Sequence, residues 1–141
     1  MRISILSLAL LIVTGAAFAQ APTDESSAVM SAQEAVWLAR AISTSEFELS
    51  ATRNGFVSLD KLMEHRNVLM EERNMQSLKE YVKLTDATSG TAKGWRLSVI
   101  AAADGKHFHL ALIPDQPCQT ALFSNESGLI YTGKAGGCAA K

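Results

Sequence analysis

The hydrophobic period of this chain changes once. From Ser31 to Asn54 apolar residues recur at helical spacing, and from Trp95 onward they recur at every second residue. Neither pattern can bury its apolar side alone, so a helix stripe must be laid on the alternating face of a sheet. The fold class expected is α+β: a long N-terminal helix spine packed on a small antiparallel β-sheet.

The helical segment carries its own start and stop. Ser31 followed by Glu34 fits a capping box, and Asn54-Gly55 supplies residues that tolerate a left-handed C-terminal turn. At 1.5 Å per residue the helix would run about 35 Å. Ala35, Leu38, Ala39, Ile42 and Leu49 fall on one face, with Ala32, Val36 and Phe47 widening it. Ser43 and Ser50 keep the stripe narrow enough for another layer to approach closely. Glu46 interrupts it. A carboxylate there is either a catalytic or ligand-binding group, or a rim carboxylate hydrogen-bonded to a nearby backbone N–H or hydroxyl. The second is expected, because an unpaired buried charge is very costly. Trp37 projects from the opposite side beside Arg40, and an exposed Trp marks a contact surface. Trp37 and Arg40 are the candidate partner surface.

Beyond Gly55, Ser58 to Arg66 reads as a short amphipathic helix with Leu59, Leu62 and Met63 inward. The stretch 67–84 is mixed: its charges and Leu/Met content favour helix, while Tyr81 to Leu84 could form a strand. "TDATSGTAKG" reads as a loop. "WRLSVIAAA", the turn signal Asp104-Gly105 and "KHFHLALI" form a hairpin that Pro114 and Pro117 terminate. "TALFSNESGLIYTG" holds a third and a fourth short strand around a turn at Ser124 to Gly128.

The first residues have the layout of a secretory signal peptide: Arg2, an apolar run from Ile3 to Val13, and the small-x-small motif Ala17-Phe18-Ala19. The run is shorter than the ~20 residues of a membrane span. We expect a signal peptide over 1–19 cleaved after Ala19, a polar leader over 20–30, and one domain over 31–141. Such a chain is secreted or periplasmic, with no stable membrane span after cleavage; the rival reading is an uncleaved anchor. Cleavage leaves about 120 residues, enough for one small core. Cys118 and Cys138 both lie in the exported part, where a single disulfide is the default. A formal net charge of −1 with scattered basic residues gives no electrostatic footprint for nucleic acid.

Few residues carry chemistry. His107 and His109 stand two apart on a strand and share a face, so they could supply two metal ligands. A third would have to come from elsewhere, and His65 is the remaining histidine. The bland alternative is a solvated strand face opposite Phe108 and Leu110, and we assign neither metal nor cofactor. The chain has no Gly-x-Ser-x-Gly, no phosphate loop and no paired-cysteine redox motif, and we assign no enzymatic activity. Asn125-Glu126-Ser127 matches a glycosylation sequon.

The order of these features resembles the globular domain of type IV pilins and of the pseudopilins of secretion systems. The residues that carry the likeness are "ARAISTSEFELSATRNGFVSLDKL", the loop "SGTAKGW", the hairpin "WRLSVIAAADGKHFHLALIP" and "TALFSNESGLIY". Gly94-Trp95 and Ser127-Gly128-Leu129-Ile130 stand where that family enters a strand and closes its last one. The resemblance implies that Cys118 and Cys138 correspond to the C-terminal disulfide of many pilins. It implies a partner among proteins of the cell envelope or of the secretion or pilus machinery. One departure is plain. The family keeps a hydrophobic N-terminal half-helix with a glutamate five residues after its leader cleavage site. Here the fifth residue after Gly15 is Gln20, and the chain then turns polar. The function expected is therefore an exported, non-enzymatic pilin-like module mediating protein–protein contacts without forming filaments. The alternative is a small periplasmic ligand- or metal-binding protein.

Overall fold

The computed structural model describes residues 29–65 and 78–136. The expected signal peptide with its Ala19 site, most of the polar leader, the stretch 66–77 and Cys138 lie outside the described residues.

Helix α1 (Ala32–Arg53) forms where its caps allow. The Ser31 hydroxyl accepts from the Glu34 backbone N–H at 3.2 Å, and a Glu34 carboxylate oxygen accepts from the Ser31 N–H at 2.7 Å. This reciprocal box satisfies two of the orphan donors at the first turn. At the other end Asn54 adopts φ 61°, the left-handed conformation that stops a helix. Ala35, Leu38, Ala39, Ile42 and Leu49 are buried as the period requires, while Ala32 is exposed. Of the small polar residues, Ser43 is buried and Ser50 half-buried.

Two short helices follow, α2 (Leu59–His65) and α3 (Leu78–Tyr81). Leu59, Leu62 and Met63 are buried, as the amphipathic pattern demands. The chain then enters six strands: β1 (Lys83–Leu84), β2 (Ser89–Ala92), β3 (Trp95–Ala101), β4 (Phe108–Pro114), β5 (Thr120–Asn125) and β6 (Tyr131–Lys134). They pair with sequence neighbours only, giving an antiparallel meander in the order β1-β2-β3-β4-β5-β6. The helix-on-sheet α+β architecture is thus present, with two more strands than the sequence pattern indicates.

Of these, β1 falls in the stretch Tyr81 to Leu84 that could form a strand, and β2 corrects the reading of "TDATSGTAKG" as loop. Ser89–Ala92 has no hydrophobic alternation, but Lys93 and Gly94 both take positive φ, 43° and 83°. That is the geometry of a two-residue hairpin turn, and it sets Ala92 opposite Trp95. The last hairpin also differs. β5 runs on to Asn125, and β6 begins only at Tyr131, so Leu129 and Ile130 precede the strand and Leu129 is exposed.

Register separates the sheet's two faces. Leu97, Leu112 and Leu122 are aligned across three strands, with Val99 opposite Leu110, and all are buried against α1 and its neighbours. The other face carries the row Ser98, Ala111, Phe123 and Tyr131, flanked by Ile100, His109 and Asn125. No described helix covers it. The chain's entry is pinned at the β2–β3 turn: the Met30 N–H donates to the Lys93 carbonyl at 2.9 Å, and the buried Trp95 indole N–H donates to the Met30 carbonyl at 2.8 Å.

Candidate functional site

Glu46 is the residue whose environment is least like its chemistry. It does not sit on a rim: it is fully buried in the middle of the α1 stripe. One carboxylate oxygen accepts from the Val57 N–H at 3.0 Å, so the expected backbone partner is present. The other is buried without a hydrogen-bond partner in the protein. Burial pushes the carboxyl up to about 7, against the opposing pull of the Val57 hydrogen bond. In its protonated form the carboxyl both accepts from Val57 and sheds the cost of a desolvated charge.

The elements around Glu46 explain why it is held there. Asn54 turns the chain back on α1, and the returning segment places Val57 over Glu46. That corner is seated on the tip of the β3–β4 hairpin, where the Phe56 N–H donates to the Gly105 carbonyl at 2.8 Å. A Cβ on Gly105 would stand 3.2 Å from the Gly55 Cα, so the two backbones touch and neither position has room for a side chain. Phe56 packs on Phe108 with ring centroids 4.7 Å apart, and Phe47 meets both rings edge-on. Phe47, expected to widen the apolar stripe, is its partly exposed border. Nearby, the buried Ser43 hydroxyl donates to the Ser124 hydroxyl at 3.1 Å, stitching α1 to β5. Glu46 thus braces a corner, and that role accounts for a carboxylate in the stripe.

The candidate partner surface divides. Arg40 is exposed on α1, but Trp37 is half-buried and packs against the hydrophobic core. The 3.6-residue period places Trp37 away from the central stripe correctly; what it cannot convey is how far the core wraps around the helix. The larger exposed apolar side chains lie elsewhere. Ile100 is 50% exposed, Tyr131 46% and Phe123 38%, all on the bare face of the sheet. This face is not among the surfaces expected from sequence; the signal that could have found it is Ile100 and Phe123, apolar residues alternating with the buried row.

The histidines remain dispersed. The His107 Nδ1 lies 3.1 Å from a Glu126 carboxylate oxygen, and both residues are largely solvated. Glu126 is held below the usual carboxylate value, first by a backbone hydrogen bond and then by His107. His109 is exposed and stands opposite Ile100 and Asn125 in the ladder. His65 closes α2. Among the described residues no group of three His, Cys, Asp or Glu side chains could hold a metal ion. Asn125 of the sequon is half-buried, and its side-chain oxygen accepts from the Ser127 N–H at 3.0 Å, forming a local turn.

A cleft of about 480 Å³ opens at the start of α1, bordered by Met30, Ser31, Trp95, Gln116, Cys118 and Gln119. Its glutamines bond to one another at 2.6 Å, and Ser31 is engaged in the capping box. Cys118 takes φ 67° and is not a free thiol. Among the described residues no helix is long and apolar enough to cross a membrane.

No protein-family model, curated protein or solved structure matches this chain.

Proposed function

We propose that this chain is an exported, non-enzymatic binding module of pilin-head type, acting through protein–protein contacts at the cell envelope. The observation that carries the reading is the bare sheet face. α1 covers one side of the meander, while the other presents Ile100, Phe123 and Tyr131 to solvent. Exposed apolar side chains gathered on one uncovered sheet face of a small domain mark an interaction surface. The buried carboxylate supports the same reading indirectly, because Glu46 is engaged in holding the α1–α2 corner and faces no cleft described above. The candidate surface at Trp37 and Arg40 contributes through Arg40, since Trp37 packs inward.

The leader belongs to this proposal. Cleavage after Ala19 releases a domain beginning with a polar segment, and that segment replaces the apolar half-helix through which pilins polymerise. A Cys118–Cys138 bridge would close a loop holding β5 and β6 and would stabilise the domain by about 3 kcal/mol in the chain-entropy model. The partner is a protein of the envelope or of a secretion or pilus machine.

The test is pull-down of the exported protein from its host's envelope fraction, with Tyr131→Glu as the comparison. Specific capture that Tyr131→Glu abolishes supports the reading. Capture of nothing by either form, or ordered filaments from the purified protein alone, overturns it.

A further inference from the structure

The bare face has a self-complementary layout. Its central row, Ser98–Ala111–Phe123–Tyr131, runs across β3 to β6. Along β4 the row is centred on Ala111, midway between His107 just before the strand and Asp115 just after it. Both ends carry a basic and an acidic side chain in contact. Arg96 and Asp115 lie 3.6 Å apart at one end, and His107 and Glu126 lie 3.1 Å apart at the other. The face is apolar in the middle and polar at each end. The Phe123 ring sits over Gly133, where a Cβ would stand 3.2 Å from the ring, so it is laid along the sheet rather than standing off it.

We propose that this face docks a second copy of the chain, sheet on sheet, about a twofold axis running along the central row; this rests on reading the face as a binding surface and adds a second copy to the envelope partner proposed above. Such an axis sets β4 of one copy antiparallel to β4 of the other. It stacks Ala111, Phe123 and Tyr131 on their own counterparts and brings the Asp115 end of each copy against the His107 end of its partner. The Asp115 carboxylate of each copy then faces the His107 imidazole of the other at both ends, the self-complementary arrangement of an isologous contact. Aromatic rings enter the middle, where interface cores concentrate them. A partner of strong net charge would find no matching field on this face.

Size fixes the strength. Strands β2 to β6, about 4.8 Å apart and about 20 Å long, make a face of about 500 Å². A pair would bury about 1,000 Å², near the floor for a specific contact and well under an obligate dimer. The association is reversible, with a midpoint at tens of micromolar or above, on the order of weak, transient interfaces.

Sedimentation equilibrium of the exported protein from about 5 to about 500 µM tests this. A monomer–dimer equilibrium is expected that Ile100→Glu and, separately, Tyr131→Glu weaken by at least about tenfold. Thr44→Glu, exposed on the helix side, leaves it unchanged. Both substituted side chains are half-exposed, and each variant's thermal melt is compared with the parent so that unfolding is not scored as dissociation. A monomer at every concentration overturns the second-copy assignment, and so does a dimer lost in Thr44→Glu or untouched by both face variants. The envelope pull-down separates the two levels. A captured partner without self-association leaves the binding reading standing and sinks this one. A dimer without any captured partner sinks the envelope partner and leaves the face's self-association standing.

Discussion

Replacing Glu46 by Gln should change how stability depends on pH more than it changes the fold. Gln keeps the shape of the side chain and an oxygen to accept from the Val57 N–H, and it cannot ionise. In the folded protein the carboxyl is raised from 4.5 to about 7, because a fully buried group with one unpartnered oxygen resists becoming charged. The sign follows from proton binding. Between the unfolded and folded values the folded state holds the proton more tightly, so stability is greatest below about 4.5 and is lost as pH rises through about 7. At about 1.4 kcal/mol per tenfold change in proton affinity, the full loss is about 3 kcal/mol, an upper figure if the corner relaxes to admit water. The assay is urea unfolding of both proteins from about pH 5 to about pH 8, scored as the difference between them, which removes every other titrating group. Near pH 5 the two should agree within about 1 kcal/mol, and near pH 8 the Gln variant should be the more stable by 2–3 kcal/mol, on the order of the linkage above. A difference that does not move with pH, or a parent more stable than the variant at pH 8, would refute the argument.

Four further outcomes are expected. Gly105→Ala should destabilise by about 1–3 kcal/mol in thermal or chemical unfolding, because the site combines φ 66° with backbone contact to Gly55. Trp95→Phe should cost about 2 kcal/mol by the same measurement, since it strands the buried Met30 carbonyl and leaves space in the core. Ser31→Ala should lower stability by about 1 kcal/mol through loss of the capping box, with Ser31→Asp largely restoring it. Mass spectrometry of the exported protein should show a chain starting at Gln20, and a product retaining Ile3 to Val13 would instead favour the anchored form.

Local chemistry was enough to determine some elements of this protein. Ser31 with Glu34, and Asn54 before a glycine, define the ends of α1 through groups within a few residues of each other. The β3–β4 hairpin is equally legible, because alternation in the first half of "WRLSVIAAA" and again in "KHFHLALI", joined by Asp104-Gly105, leaves one way to bury Leu97, Val99, Leu110 and Leu112. Strand β2 was written only in its turn: "SGTA" has no apolar period, and it becomes a strand because Lys93-Gly94 folds it onto β3, whose backbone supplies its hydrogen bonds. The onset of β6 at Tyr131 was set by pairing with Phe123, which the apolar run at Leu129 and Ile130 could not convey. At Glu46 the sequence indicated a carboxylate in an apolar stripe and the kind of partner it needed. That the partner is Val57, eleven residues on, and that burial is complete, was decided by the corner closing over α1 against the hairpin tip. The same wrapping drew Trp37 inward. Periodicity tells a side chain which way to point, but how much protein stands in front of it depends on contacts between segments distant in the chain.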